Sequence, residues 1–215
     1  MKNKKISFLL FTVAFFLVGC GKVTLDDVKN AQDTIQKTQE EIVTILNDTQ
    51  EIESEMSATF AEAIQAKDLH DLSKHSNPAY DNIMQRQKQL EQLKKQQEIL
   101  EKETETIRNY KEDKIAPEVK THYLDVLGNL IAQLKTYYEH YEKNIKLQED
   151  FFQKIAEKDA TSEDFINGLD ELNDDYQTLQ EELKSIDQQF NDLEKVQQSF
   201  EKEVNESLKK GNATK

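Results

Sequence analysis

Four histidines, His70, His75, His122 and His140, are the side chains of this 215-residue chain best suited to proton transfer or metal binding near neutral pH. They are scattered. No two stand four residues apart, as a helical metal pair requires, and no His-Glu-x-x-His run occurs. The 42 acidic residues are so evenly spread that a pair of carboxylates carries no information. Only five glycines are present, and none builds a glycine-rich phosphate loop. The expectation is a protein without catalytic residues, bound metal or cofactor, and therefore not an enzyme. Two local clusters remain as candidate contacts. Thr136-Tyr137-Tyr138-Glu139-His140-Tyr141 offers aromatic faces and hydroxyls for a sugar or peptide. Helical spacing assigns Tyr137 and Tyr141 to a core seam and leaves Tyr138 and His140 as the surface candidates. The second cluster, Asp68 to Ser76, holds His70 and His75 in a predicted helix-to-helix connection.

The remaining reactive group is a thiol. Cys20 is the one cysteine, and it ends the run Leu17-Val18-Gly19-Cys20. Lys2, Lys4 and Lys5 precede an apolar stretch from Ile6 to Val18 that is shorter than the ~20 residues a spanning helix needs. The arrangement is similar to a bacterial lipobox, in which the thiol accepts a diacylglyceryl group and cleavage makes the cysteine the new N-terminus. Residues 1–19 are then a cleaved signal peptide, Cys20 is the lipidation site, and 20–24 form a short tether. Two or more acyl chains, palmitate among them, hold a protein stably on a bilayer without crossing it. The expected partner of Cys20 is the bilayer, at the extracellular face of the cytoplasmic membrane.

Cleavage at that point removes three of the 28 basic residues and none of the 42 acidic ones, leaving 25 against 42 and a formal charge of −17. Such a balance excludes nucleic acid, whose ligands need Lys and Arg to displace counterions. By the same reasoning the body as a whole is repelled by anionic headgroups. With no cysteine after Cys20, no disulfide supports the fold.

Two prolines, few glycines and no tryptophan argue against turn-rich β structure, and apolar spacing argues for helices. Leu169, Leu172, Tyr176, Leu179, Leu183, Ile186, Phe190, Leu193, Gln197, Phe200 and Val204 recur in steps of three and four, a sustained heptad seam. Thr161 to Asp164 offers its cap, and Gly211-Asn212 its predicted end. Val28 through Met56 repeats the pattern behind a Thr24/Asp27 pair. Asn77-Pro78 and Pro117 start two further helices. Arg86, Gln97 and Thr104 interrupt the seam of the second, where polar residues set register between helices. The prediction is all-α: an elongated antiparallel bundle or coiled coil of about four long helices over 25–209, with a polar tail at 210–215. Breaks fall at 67–76, 112–116 and 157–161. Short connections put the tether, the second break and the C-terminus at one end, and the first and third breaks at the other.

The mature chain also resembles the cell-wall-binding lipoprotein family of low-GC Gram-positive bacteria. The likeness rests on the lipobox at 17–20 and the acidic helical body behind it. It rests further on the stretch Tyr137 to Leu147 leading into Phe151-Phe152, the Glu157-Lys158-Asp159 break and a final heptad helix. The resemblance implies attachment to the envelope and binding of cell wall polymer or an envelope protein, and it transfers no site residue beyond Cys20. Two alternatives of other classes stand beside it: a self-associating scaffold subunit that forms homo-oligomers, and a released signal fragment ending Phe15-Phe16-Leu17-Val18-Gly19 that acts as a messenger.

Overall fold

The computed structural model describes residues 22–65, 69–74 and 77–213; Cys20 and His75 lie outside them. Four long helices make up the structure: α1 (Leu25–Gln65), α2 (Pro78–Asn109), α3 (Pro117–Ile155) and α4 (Ser162–Ala213), with a short 3₁₀ turn at Leu69–Ser73. No strand occurs among the described residues.

Each start has a local chemical cause. Thr24 and Asp27 form a reciprocal cap on α1: the Asp27 carboxylate accepts from the Thr24 N–H (2.8 Å) and hydroxyl (2.7 Å), and the Asp27 N–H donates back to Oγ1 (3.2 Å). Thr161 and Asp164 repeat this at α4, with distances of 2.8, 2.7 and 3.1 Å. These bonds, led by the one from the Thr hydroxyl, hold both aspartates below the usual carboxylate range. Asn77 caps α2 through the Ala79 N–H (2.9 Å), with Pro78 in the first turn, and Pro117 opens α3. The far end of α4 differs from expectation. The helix continues through Gly211 to Ala213, and Ser207 ties this end down by donating to the Lys114 carbonyl.

The helices run up-down-up-down, each packed on its neighbour in sequence, and α4 closes the ring against α1. The predicted seam positions of α1, Val28 through Thr49, are buried, as are Leu179, Ile186, Leu193, Gln197, Phe200 and Val204 of α4. Tyr123 stacks on Phe200 at 4.3 Å across α3 and α4. At the base, Lys22 pairs with Glu112 (2.9 Å) beside the end of α4. At the distal end, the 3₁₀ turn meets the α3–α4 connection. The 41 residues of α1 set the two ends about 60 Å apart.

The seam between α1 and α4 does not close over its full length. Upstream of Leu179 no residue of α4 is buried; Leu169 and Leu172 are half-buried and Tyr176 is 43% exposed. The facing part of α1 is too polar to cover them, with Glu51, Ser54, Glu55 and Ser57 around Ile52 and Met56. The gap is partly filled by rings: Phe60 lies 5.9, 5.6 and 6.2 Å from Phe151, Phe152 and Phe165. Gly168 makes this possible, because a Cβ there would stand 2.3 Å from the Phe151 ring.

Candidate functional site

Arg86 is where the sequence interrupts the seam of α2, and the structure buries it completely. A buried guanidinium is costly unless each of its donors finds an acceptor. Here Nε donates to Asn82 Oδ1 (2.8 Å), one turn earlier on α2. The two terminal nitrogens reach α3, at Gln148 Oε1 (2.7 Å) and the Tyr141 hydroxyl (3.4 Å). The counter-charge is Glu53 on α1, 3.6 Å away. Burial raises the Glu53 carboxyl above its ordinary value, against the pull of Arg86 and a bond from Tyr141.

The bonding continues outward. Gln148 donates to Asn144 Oδ1, and Asn144 donates to Asp175 of α4 (2.6 Å). Asp175 also faces His140 Nε2 at 2.9 Å, while Glu182 faces Nδ1 at 3.1 Å. One polar chain therefore crosses the bundle from α1 to α4, linking both helix hairpins at a single level. Such a network fixes register, because sliding any helix by one turn would strand a buried charge.

Beside Glu53, His140 is a second titrating member. A neutral imidazole has one N–H and one lone pair, so it satisfies only one of two carboxylates placed on opposite ring nitrogens; the imidazolium satisfies both. The same geometry disfavours a metal, since an ion on one nitrogen is out of reach of the carboxylate at the other. Among the described residues no group of three or more His, Cys, Asp or Glu is placed to hold a metal ion. Burial alone would lower the imidazole, but its bonds to Asp175 and Glu182 and their charge outweigh this and raise it above its ordinary 6.5.

The structure thus corrects the reading of His140 as an exposed contact. Its side chain is 20% exposed and engaged by α4, because its helical position flanks the seam on the α4 side. Tyr137 and Tyr141 are buried, as their spacing predicted, and burial pushes both phenols up. Tyr138 is half-buried on the opposite flank, against α2. Its hydroxyl donates to Glu142 (2.6 Å) and Lys94 Nζ stands 5.3 Å over the ring. The Glu142 bond first, and burial second, push this phenol up to about 12. A narrow groove of about 210 Å³ runs beside it, lined by Gln87, Leu90, Glu91 and Ile145. With one face covered by Lys94, Tyr138 is not an open stacking platform.

His70 lies at the distal end and donates from Nδ1 to the Ala156 carbonyl (3.3 Å), joining the 3₁₀ turn to the end of α3. It rims a groove of about 1070 Å³ between these segments, floored by Leu69, Ile155, Phe165 and Ile166. His70, His140 and Tyr138 therefore occupy three separate places and form no joint site. The residues missed from sequence are Glu53, Asn82, Asn144, Gln148, Asp175 and Glu182. The signal was present: Asn82/Arg86 and His140/Asn144/Gln148 are polar steps of four along one helix face, with Asp175/Glu182 seven apart on another.

A family model, YkyA, described as "Putative cell-wall binding lipoprotein", matches residues 24–203. No curated protein matches the chain. A solved structure from Staphylococcus aureus, described as a conserved protein of unknown function, is 19% identical, with 89% of this chain and 88% of that chain covered and a TM-score of 0.33.

Proposed function

Because this chain belongs to the putative cell-wall binding lipoprotein family, we propose that it is a surface lipoprotein that works by binding and not by catalysis. A lipid on Cys20 tethers it to the outer face of the cytoplasmic membrane, and the bundle carries a contact surface into the cell wall. One observation supports this reading above the others. Lys22, two residues from Cys20, sits at the base, while an apolar groove of about 1070 Å³ sits at the other end, about 60 Å away. An anchored rod of that length offers its distal groove to wall polymer or to an envelope protein. No helix among the described residues is long and apolar enough to cross a membrane. In this reading the lipid carries the attachment.

The reading is tested by sedimenting unlipidated residues 21–215 with isolated cell wall, with and without its anionic polymers, across a salt series. Saturable binding that survives salt is expected, weakened by Phe165→Ser or Ile166→Ser at the groove. Absence of binding under all conditions refutes direct wall contact. The tether has its own test: Cys20→Ala should move the protein from the membrane to the soluble fraction without unfolding the helices, and retention equal to wild type refutes it.

A second reading is a self-associating scaffold, favoured by Ile166 and Ile64, which are 56% and 40% exposed on the open distal seam. Sedimentation of the unlipidated chain as a monomer at high concentration refutes that version.

A further inference from the structure

Formal charge over the whole chain is the wrong measure of how this protein meets a membrane. Charges farther from a surface than a Debye length, about 8 Å at physiological salt, are screened from it. The distal end is about 60 Å from the base, so its carboxylates do not count there. What counts is the end beside the tether, and there cations and acids are balanced, unlike in the chain as a whole. Lys22 and residues 108–120 together carry five cations, Lys22, Arg108, Lys111, Lys114 and Lys120, against Glu112, Asp113 and Glu118, with Asp26, Asp27, Glu105 and Glu203 beside them. Lys209 and Lys210 fall on the last turns of α4 at the same end.

The arrangement is more specific than a count. Glu112 is shared by Lys22 (2.9 Å) and Lys114 (2.8 Å), which neutralise it. Arg108 has an exposed pairing with Glu105, of the kind that contributes little in water. Among the described residues neither Lys111 nor Lys120 is paired with a carboxylate. Instead, both ammonium groups converge on the Arg108 carbonyl, each at 3.4 Å, and Lys120 also donates to the Tyr110 carbonyl. Partial burial, and then the charge of Lys111, lower the Lys120 ammonium below its usual value. Two like charges crowded on one carbonyl are relieved by an anion between them.

We propose that this end of the bundle is a binding surface for the phosphodiester of anionic lipid headgroups, centred on Lys111 and Lys120 with Arg108 at its rim. The inference rests on the tethered reading, which is what places a bilayer against this end. Wall polymers also carry phosphodiesters, but Lys22 ties the tether itself to this corner through Glu112, so the headgroups are the phosphates within reach. The contact gives the rod a fixed stance: the Lys111/Lys120 corner on the membrane with the acidic length directed away from it.

The test uses the lipidated protein in vesicles of phosphatidylcholine alone or with about 30% phosphatidylglycerol, with amine acetylation followed residue by residue. Lys111 and Lys120 should react about fivefold more slowly on the anionic vesicles, the factor expected for one cation held at such a surface. The contrast should vanish in about 0.5 M salt, and Lys154 and Lys158 at the distal end should not change. Equal rates on both vesicles, with the protein floating with both, overturn the inference and leave the tether standing. Failure to float with neutral vesicles refutes the tether instead, and the footprint with excess anionic vesicles still decides the headgroup contact. Stronger protection by soluble poly(glycerol phosphate) than by vesicles overturns the assignment to lipid.

Discussion

Replacing Arg86 by leucine is the sharpest probe of the transverse network. The change leaves Asn82 Oδ1, Gln148 Oε1 and the Tyr141 hydroxyl without a donor, and Glu53 without its counter-charge. Removing one partner of a buried ion pair costs about 3–5 kcal/mol, set mainly by the charge left behind. For a chain of this size about 1 kcal/mol moves the melting temperature by about 2–4 °C, so the loss should be about 6–20 °C. Thermal unfolding followed by helical circular dichroism reads it directly. Two controls separate the charge from the packing. Adding Glu53→Gln to Arg86→Leu removes the stranded carboxylate and should restore more than half of the loss. The pH dependence supplies the second. Glu53 has a folded pKa above its unfolded value, so its ionisation destabilises the fold as pH rises past the unfolded value. Arg86 is what pulls that carboxyl down, so the deficit of Arg86→Leu should be larger at pH 8 than at pH 5. A variant that melts within about 2 °C of wild type at pH 8, or a double variant as weak as the single, would refute the assignment of this network as the element that fixes register.

Three further outcomes follow from named contacts. His140 has a folded pKa above 6.5, so its contribution is full below that value and is lost as pH rises through the folded pKa. The stability difference between wild type and His140→Gln, measured by urea unfolding, should therefore be largest below pH 6.5 and shrink above it; a pH-independent difference excludes the imidazolium. The two glycines separate propensity from packing. Gly128→Ala meets nothing within 4 Å and should stabilise by about 1 kcal/mol, whereas Gly168→Ala forces a methyl to within 2.3 Å of Phe151 and should destabilise by about 1–2 kcal/mol. Equal effects in a melting experiment would mean the Phe151 ring yields freely. Asn77→Ala removes the side-chain acceptor for the Ala79 N–H and should cost about 1 kcal/mol, read as a shift of the urea midpoint.

Much of the fold is legible because heptads, prolines and Thr-x-x-Asp caps are local signals. Asn77-Pro78, Pro117 and Thr161 to Asp164 mark helix starts, and Val28 to Thr49 names a buried face. Gly211 misled because a glycine ends a helix only where the chain turns, and here α4 continues past its contact with the second connection. The site was harder to read. Arg86 registers in sequence mainly as a flaw in a seam, since only Asn82 is a local acceptor and its acceptors on α3 lie 55 and 62 residues away, where no local rule joins them. Sequence spacing leaves His140 on the surface because a single helix has no memory of which flank its neighbour covers. The open stretch of the α1–α4 seam is invisible for the same reason: each half shows good spacing alone, and only their meeting reveals too little apolar surface on one side.

The connectivity of the bundle also dictates the order in which it assembles. Every helix packs on the one before or after it, so most tertiary contacts close loops of modest length, and such chains fold fast. The α1–α4 seam is the exception, joining residues as far apart as Gln39 and Gln197, 158 positions along the chain. The entropic cost of bringing those ends together falls on that seam alone. The N-terminal hairpin is complete before α4 has to exist, which suits a chain that emerges from its N-terminus. Assembly then reduces to two hairpins meeting, and the interface that closes last is the one left open at its outer end.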